Sequence, residues 1–254
     1  MNRPPVIIAN WKMHKTRHQA QECIHHLKIQ LSIDFSGVYI AAPYTAIEAC
    51  ASMKLPNLVI GAQNVSEHAF GAYTGEVCAE MLKDLQVGFC LIGHSERRTY
   101  FHETSEQIRQ KILRCLEANI QPILCIGETL QQRHNNQTND VLFSQISSAL
   151  SKLSAQDVSQ VSLAYEPVWA IGSGVAASPD AVQNIHAECR AYIQKIWGKT
   201  CSDHIRILYG GSVNLQTLAE IISQKDVDGV LVGGASLDAD MFANIIKISR
   251  ELKS

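Results

Sequence analysis

Eight short apolar runs, separated by stretches of helical periodicity, restrict the folds open to this chain more than any other feature. The runs are 6–9 (VIIA), 38–42 (VYIAA), 58–62 (LVIGA), 88–93 (GFCLIG), 121–126 (QPILCI), 161–165 (VSLAY), 205–209 (IRILY) and 228–233 (DGVLVG). Most are rich in Val, Ile or Leu, the composition of strands buried on both faces. Between them, residues 105–118 place Ile108, Ile112, Leu113, Cys115 and Leu116 on one helical face. Further helices are predicted over 179–197, opened by Ser178-Pro179-Asp180, and over 238–248, opened by Asp238. Eight strand-then-helix units in 254 residues leave two α/β architectures. One is an open doubly wound sheet; the other is a closed (β/α)8 barrel of eight parallel strands inside an outer ring of helices. An open sheet usually carries a Gly-rich phosphate or dinucleotide loop after its first strand, whereas this one runs into Asn10-Trp11-Lys12. Even spacing and length favour the barrel. With no linker or compositional break, residues 1–254 are expected to form one domain.

The charge balance, 22 Lys+Arg against 24 Asp+Glu, gives no electrostatic reason to expect nucleic acid or an anionic membrane as partner. Any anion must therefore be gripped locally. Apolar residues at 46% with 18% charged exclude intrinsic disorder. No apolar run approaches the ~18 residues of a membrane helix, and 6–9 is too short for a secretory segment. The eight cysteines form no C-x-x-C pair, and Cys90 and Cys125 lie inside apolar runs, so reduced thiols in a cytoplasmic protein are expected. His14 and His18 have i,i+4 spacing but no third ligand, so no metal is expected there. His25-His26 reads as a helix surface, and Arg98 with Asp226 as a structural ion pair.

In such a barrel, chemistry sits on the loops at the carboxyl ends of the strands. There the sequence places Asn10 and Lys12 after strand one, His94 after strand four and Glu166 after strand six. Gly210-Gly211-Ser212 and Gly233-Gly234 follow strands seven and eight. Glycine pairs in the last two loops let backbone N–H groups approach a phosphate. Lys12, two residues beyond a buried strand, offers a fixed counter-charge. His94 opens a helix, where the positive dipole end disfavours imidazolium and keeps the ring neutral. Glu166 ends an apolar strand, a position carboxylates seldom occupy without a partner or a task. Residues 167–177 read as a lid with a Gly172-Ser173-Gly174 tip, and the connection 63–79 is long enough to be functional or interfacial. These residues alone also admit another phosphate-binding barrel isomerase or lyase. A silent barrel scaffold would be expected to lack Glu166, His94 or Lys12, and all three are present.

Several segments together resemble the triosephosphate isomerase family. They are Ala9-Asn10-Trp11-Lys12-Met13, Gly61-Ala62-Gln63-Asn64, Gly71-Ala72-Tyr73-Thr74-Gly75-Glu76 and Ile92-Gly93-His94-Ser95-Glu96-Arg97-Arg98 in the first half. Leu124-Cys125-Ile126-Gly127-Glu128, Ala164-Tyr165-Glu166-Pro167-Val168-Trp169-Ala170-Ile171-Gly172, Tyr209-Gly210-Gly211-Ser212-Val213 and Asp228-Gly229-Val230-Leu231-Val232-Gly233-Gly234-Ala235-Ser236-Leu237 follow in the family's order. The resemblance implies a TIM barrel that interconverts dihydroxyacetone phosphate and D-glyceraldehyde 3-phosphate in glycolysis and gluconeogenesis, without cofactor or metal. It implies Glu166 as the base, neutral His94 as the electrophile and Lys12 as the counter-charge. It further implies Asn10, Lys12, Gly172, Ser212, Gly233 and Gly234 as substrate-binding positions. A homodimer is implied as well, in which Thr74 approaches the partner near Asn10 and Met13. One departure lies in the lid: many relatives have Gly-Thr-Gly-Lys where this chain has Gly172-Ser173-Gly174-Val175. Val175 is expected to stiffen the hinge, bearing on lid rates and not on the chemical groups.

Overall fold

A computed structural model describes residues 3–32, 34–170, 177–213 and 215–253 of the protein. The predicted lid tip, with Gly172 and Val175, lies outside the described residues.

The eight apolar runs become eight strands: β1 (Val6–Asn10), β2 (Val38–Ala42), β3 (Val59–Ala62), β4 (Phe89–Ile92), β5 (Gln121–Ile126), β6 (Ser162–Tyr165), β7 (Arg206–Tyr209) and β8 (Gly229–Val232). They pair in sequence order, and β1 closes on β8, giving the expected barrel. Every pairing is parallel; Ile8 faces Tyr39 of β2 on one side and Leu231 of β8 on the other. Successive strand residues point to opposite faces. Val6, Ile8, Ala41, Phe89, Leu91, Ile123 and Leu208 therefore fill the barrel interior, while Ile7, Ala9, Val38 and Ile40 pack outward beneath the helices. Both faces are dry, which is why the runs show no polar alternation. Each fully buried Ile or Leu contributes roughly 1.5–3 kcal/mol.

The helices begin and end where local chemistry requires. Helix Pro179–Trp197 starts at Ser178, whose side chain accepts the Ala181 N–H, and stops at Gly198 with φ 89°. Its buried stripe of Val182, His186, Cys189 and Ile193 lies against the barrel. Helix Ser105–Glu117 is capped by a reciprocal Thr104–Gln107 pair. The last helix, opened by Asp238 accepting the Met241 N–H at 2.8 Å, runs from Ala239 to Lys253, five residues beyond its expected end. All eight cysteines are free and buried. No described helix is long and apolar enough to cross a membrane.

The expected Arg98–Asp226 pair does not form. Asp226 sits before β8 at the amino end of the barrel, where Arg190 Nε donates to it at 2.7 Å. Arg98 stands at the opposite end, where it donates to the carbonyls of Gly93 (2.8 Å) and Cys125 (3.0 Å). His25 and His26 are exposed on their helix, as expected.

His186 is fully buried on the inner face of its helix, with its ring edge against Tyr165. Nδ1 lies 3.2 Å from the Asp226 carbonyl oxygen and therefore donates to it; Nε2 has no partner. Burial pushes its pKa down to about 4. The unfolded chain thus binds a proton near pH 6.5 that the folded chain refuses, so stability falls as pH drops from about 6.5 to about 4. The full loss from this group is about 3 kcal/mol. Denaturant unfolding at fixed protomer concentration should show a shallower decline over that interval in His186→Gln than in the wild type.

Candidate active site

Five strand ends build one cavity. Asn10, Lys12, His94, Glu166, Ser212, Gly233 and Gly234 all line a pocket of about 440 Å³, in the lower half of the usual range for ligand sites (roughly 300–1,000 Å³). Of the predicted site residues, Gly172 alone lies outside the described residues.

Lys12 is held on every side. Its backbone is left-handed (φ 51°), a conformation costing an L-residue roughly 1–2 kcal/mol. Asn10 Oδ1 accepts its N–H at 3.0 Å, and Gln63 Nε2 donates to its carbonyl at 2.9 Å. Its Nζ donates to Glu96 Oε1 at 2.6 Å. A Cβ on Gly233 would stand 3.4 Å from Lys12 Cε, so the ammonium arm lies across the glycine pair of the eighth loop.

His94 follows Gly93, whose φ of 68° turns the chain out of β4, and caps the helix Ser95–Tyr100. Its Nδ1 accepts the Glu96 N–H at 3.2 Å. An accepting Nδ1 carries no proton, so the ring proton sits on Nε2 and the ring is neutral. Nε2 stands 3.1 Å from Glu166 Oε1, and the Ser95 N–H donates to Glu166 Oε2 at 3.2 Å. Burial pushes the Glu166 carboxyl up, but His94, the Ser95 N–H and the Lys12 ammonium outweigh it, so it titrates below the ordinary value. Burial pushes His94 down, but the charge and hydrogen bond of Glu166 together with the charge of Glu96 outweigh it, so the resting ring titrates above its ordinary value. That upward pull depends on contact. Once the carboxylate turns to a ligand or takes a proton, burial is left as the dominant influence and favours the neutral ring.

The roots of the predicted lid are tied to the barrel. Trp169 Nε1 donates to Glu128 Oε1 at 2.9 Å, and the Val168 N–H to the Glu128 carbonyl at 3.1 Å. On the far side, the Ala177 N–H donates to the Tyr209 hydroxyl at 3.2 Å. Ser212 lines the cavity, but its hydroxyl donates to the Ala170 carbonyl at 2.5 Å, fastening the first root. Ser212, expected as a substrate-binding position, thus also has a structural partner. Glu96, Ser95, Tyr209 and Glu128 brace the site as well; the sequence did not single them out, although each lies within a segment that resembles the family.

The family model described as triosephosphate isomerase matches residues 5–249. A triosephosphate isomerase from Alkaliphilus oremlandii is 42% identical over 245 residues, covering 96% of this chain and 99% of that protein. One from Fusobacterium nucleatum is 45% identical over 245 residues (95% and 97% covered). One from Protochlamydia amoebophila is 40% identical over 246 residues, covering 96% and 93%.

Proposed function

The chain belongs to the triosephosphate isomerase family and interconverts dihydroxyacetone phosphate and D-glyceraldehyde 3-phosphate in glycolysis; we propose that Glu166, His94 and Lys12 carry the reaction through an enediolate. Glu166 takes the proton from the carbon beside the carbonyl and returns it to the neighbouring carbon. His94, neutral and with its proton on Nε2, donates to the substrate oxygens as charge develops on them. Lys12 offsets the charge of phosphate and enediolate, while Asn10 braces the Lys12 backbone and helps to hold the substrate. Gly233 and Gly234 offer backbone to the phosphate without side chains in the way.

The observation supporting this reading is the convergence of an ammonium, an imidazole and a buried carboxylate on one small cavity walled by two glycine pairs. A positioned base typically supplies about 10²–10⁴-fold. Preorganised charge at Lys12 and His94 adds to that. A coupled assay with D-glyceraldehyde 3-phosphate, run in chelator and with no cofactor beyond the NADH that the coupling dehydrogenase consumes, should show rapid conversion. Folded protein giving no conversion would favour a silent scaffold.

We also propose a homodimer. A second cavity of about 440 Å³ shares Asn10, Lys12 and His94 with the first and extends to Met13, Tyr44, Tyr100 and Phe101. Met13 of this cavity is 95% exposed, and Phe70 on the connection 63–78 is 85% exposed, large apolar side chains that a partner would cover. Residues 63–78 form a self-braced arm: His68 stacks on Tyr73 at 3.7 Å, and the Ser66 N–H donates to the Val77 carbonyl. A partner's arm, led by Thr74, fits this groove. Sedimentation should give a dimer for the wild type and a monomer for Thr74→Arg, with weakened activity because the groove adjoins Lys12. A wild-type monomer would sink the proposal. Eight free buried thiols and a glycolytic reaction support a cytoplasmic location.

A further inference from the structure

Gln145 lies on the helix Thr138–Leu150, outside the barrel wall, and lines a cavity of about 190 Å³ behind Glu166. Its amide grips a single residue at two points. Oε1 accepts the Gly127 N–H at 2.8 Å, and Nε2 donates to the Gly127 carbonyl at 3.0 Å. Gly127 in turn is seated on the peptide of Glu166: a Cβ at position 127 would stand 1.8 Å from the Glu166 carbonyl oxygen and 3.5 Å from its Cα. The preceding residue is fastened there too, since the Glu166 N–H donates to the Ile126 carbonyl at 2.7 Å. Gln145 is thus separated from the Glu166 backbone by one residue that has no side chain to yield.

We propose that Gln145 is a positioning residue for Glu166, acting through Gly127; this rests on Glu166 being the base. The geometry calls for a donor and an acceptor at amide spacing. Met matches the length and offers neither. Glu keeps the acceptor, but its charged form sets a carboxylate oxygen against the Gly127 carbonyl and lacks the donor, whereas its protonated form supplies an O–H donor and restores both bonds.

The test uses Gln145→Met and Gln145→Glu in the full chain, with kcat, KM and unfolding midpoint measured from pH 8 downward. A base displaced by about 1 Å loses on the order of 10²-fold. We expect kcat to fall about tenfold to a hundredfold in both variants at neutral and higher pH. KM should stay within about twofold of wild type, because the phosphate-facing glycines are untouched. The ratio of Gln145→Glu to wild-type kcat should rise as pH falls and the new carboxyl protonates. A structural role alone would lower the midpoint and move neither kcat per folded protomer nor this ratio. Wild-type kcat in Gln145→Met, or a flat ratio in Gln145→Glu, overturns the proposal. Should Gln145→Met not fold, the ratio decides alone. If Glu166→Gln stays active, the base assignment fails, which is distinguishable from inert Gln145 variants beside a dead Glu166→Gln.

Discussion

Glu166→Gln is expected to lose nearly all turnover while the barrel stays folded. Glu166 is 2% exposed at the end of β6, so its replacement must share its shape, and glutamine does. The amide oxygen can accept from either the His94 Nε2–H or the Ser95 N–H, and its NH2 then faces the other donor. One lost contact of this kind costs on the order of 1–3 kcal/mol, too little to unfold a domain with so large a core. The catalytic loss is of another order, because an amide cannot take a proton from carbon at neutral pH. The whole contribution of a positioned base disappears, and we expect about 10³-fold or more off kcat, in the upper part of its usual range. The coupled assay gives kcat, and circular dichroism with thermal unfolding gives the folded fraction. Activity near wild type would remove Glu166 from its role.

Lys12→Met should be the next most damaging change, and in a different parameter. Its ammonium lines the cavity and pairs with Glu96, so on the proposed role its removal leaves the Glu96 carboxylate, 40% exposed, facing a bound anion unopposed. Losing one preorganised donor of this kind costs about 10²–10³-fold. The phosphate carries its charge in ground and transition states alike, so most of the loss should appear as raised KM, with a smaller part in kcat from the enediolate. Part of the damage is repulsion. Lys12→Met combined with Glu96→Gln should therefore bind better than Lys12→Met alone. Steady-state kinetics of both variants checks this; a double variant that binds no better than Lys12→Met alone would show that Glu96 exerts no such repulsion.

The strands were legible because both their faces are buried: the runs at 38–42 and 121–126 match β2 and β5 at both ends. Helix Pro179–Trp197 was legible to the residue, since Ser178-Pro179 starts it and Gly198 ends it. The last helix was cut short because nothing marked its end: Ile248-Ser249-Arg250-Glu251-Leu252-Lys253 carries neither Gly nor Pro. Lys12, His94 and Glu166 stood out because polar groups directly after buried strands fall on one rim. Their supports did not. Glu96 lies 84 residues from Lys12, Tyr209 lies 32 from Ala177, and Gln145 lies 18 from Gly127 on an unremarkable helix face. Such partners become visible only when the ring closes. The same blindness joined Arg98 to Asp226, whose charges match but which sit at opposite ends of the barrel.

Closure of β1 on β8 also has a consequence for biosynthesis. The first strand to leave the ribosome needs one of the last as its second neighbour: Val6 pairs with Gly229, and Ile8 with Leu231. At roughly 5–20 residues per second, the open edge of Val6–Asn10 waits about 10 to 50 s for that neighbour to be translated. During that interval a five-residue ribbon, apolar at four positions, offers its unpaired amides to any nascent chain nearby. The yield of native protein in a cell should thus be governed by what shelters the amino-terminal segment until translation is complete.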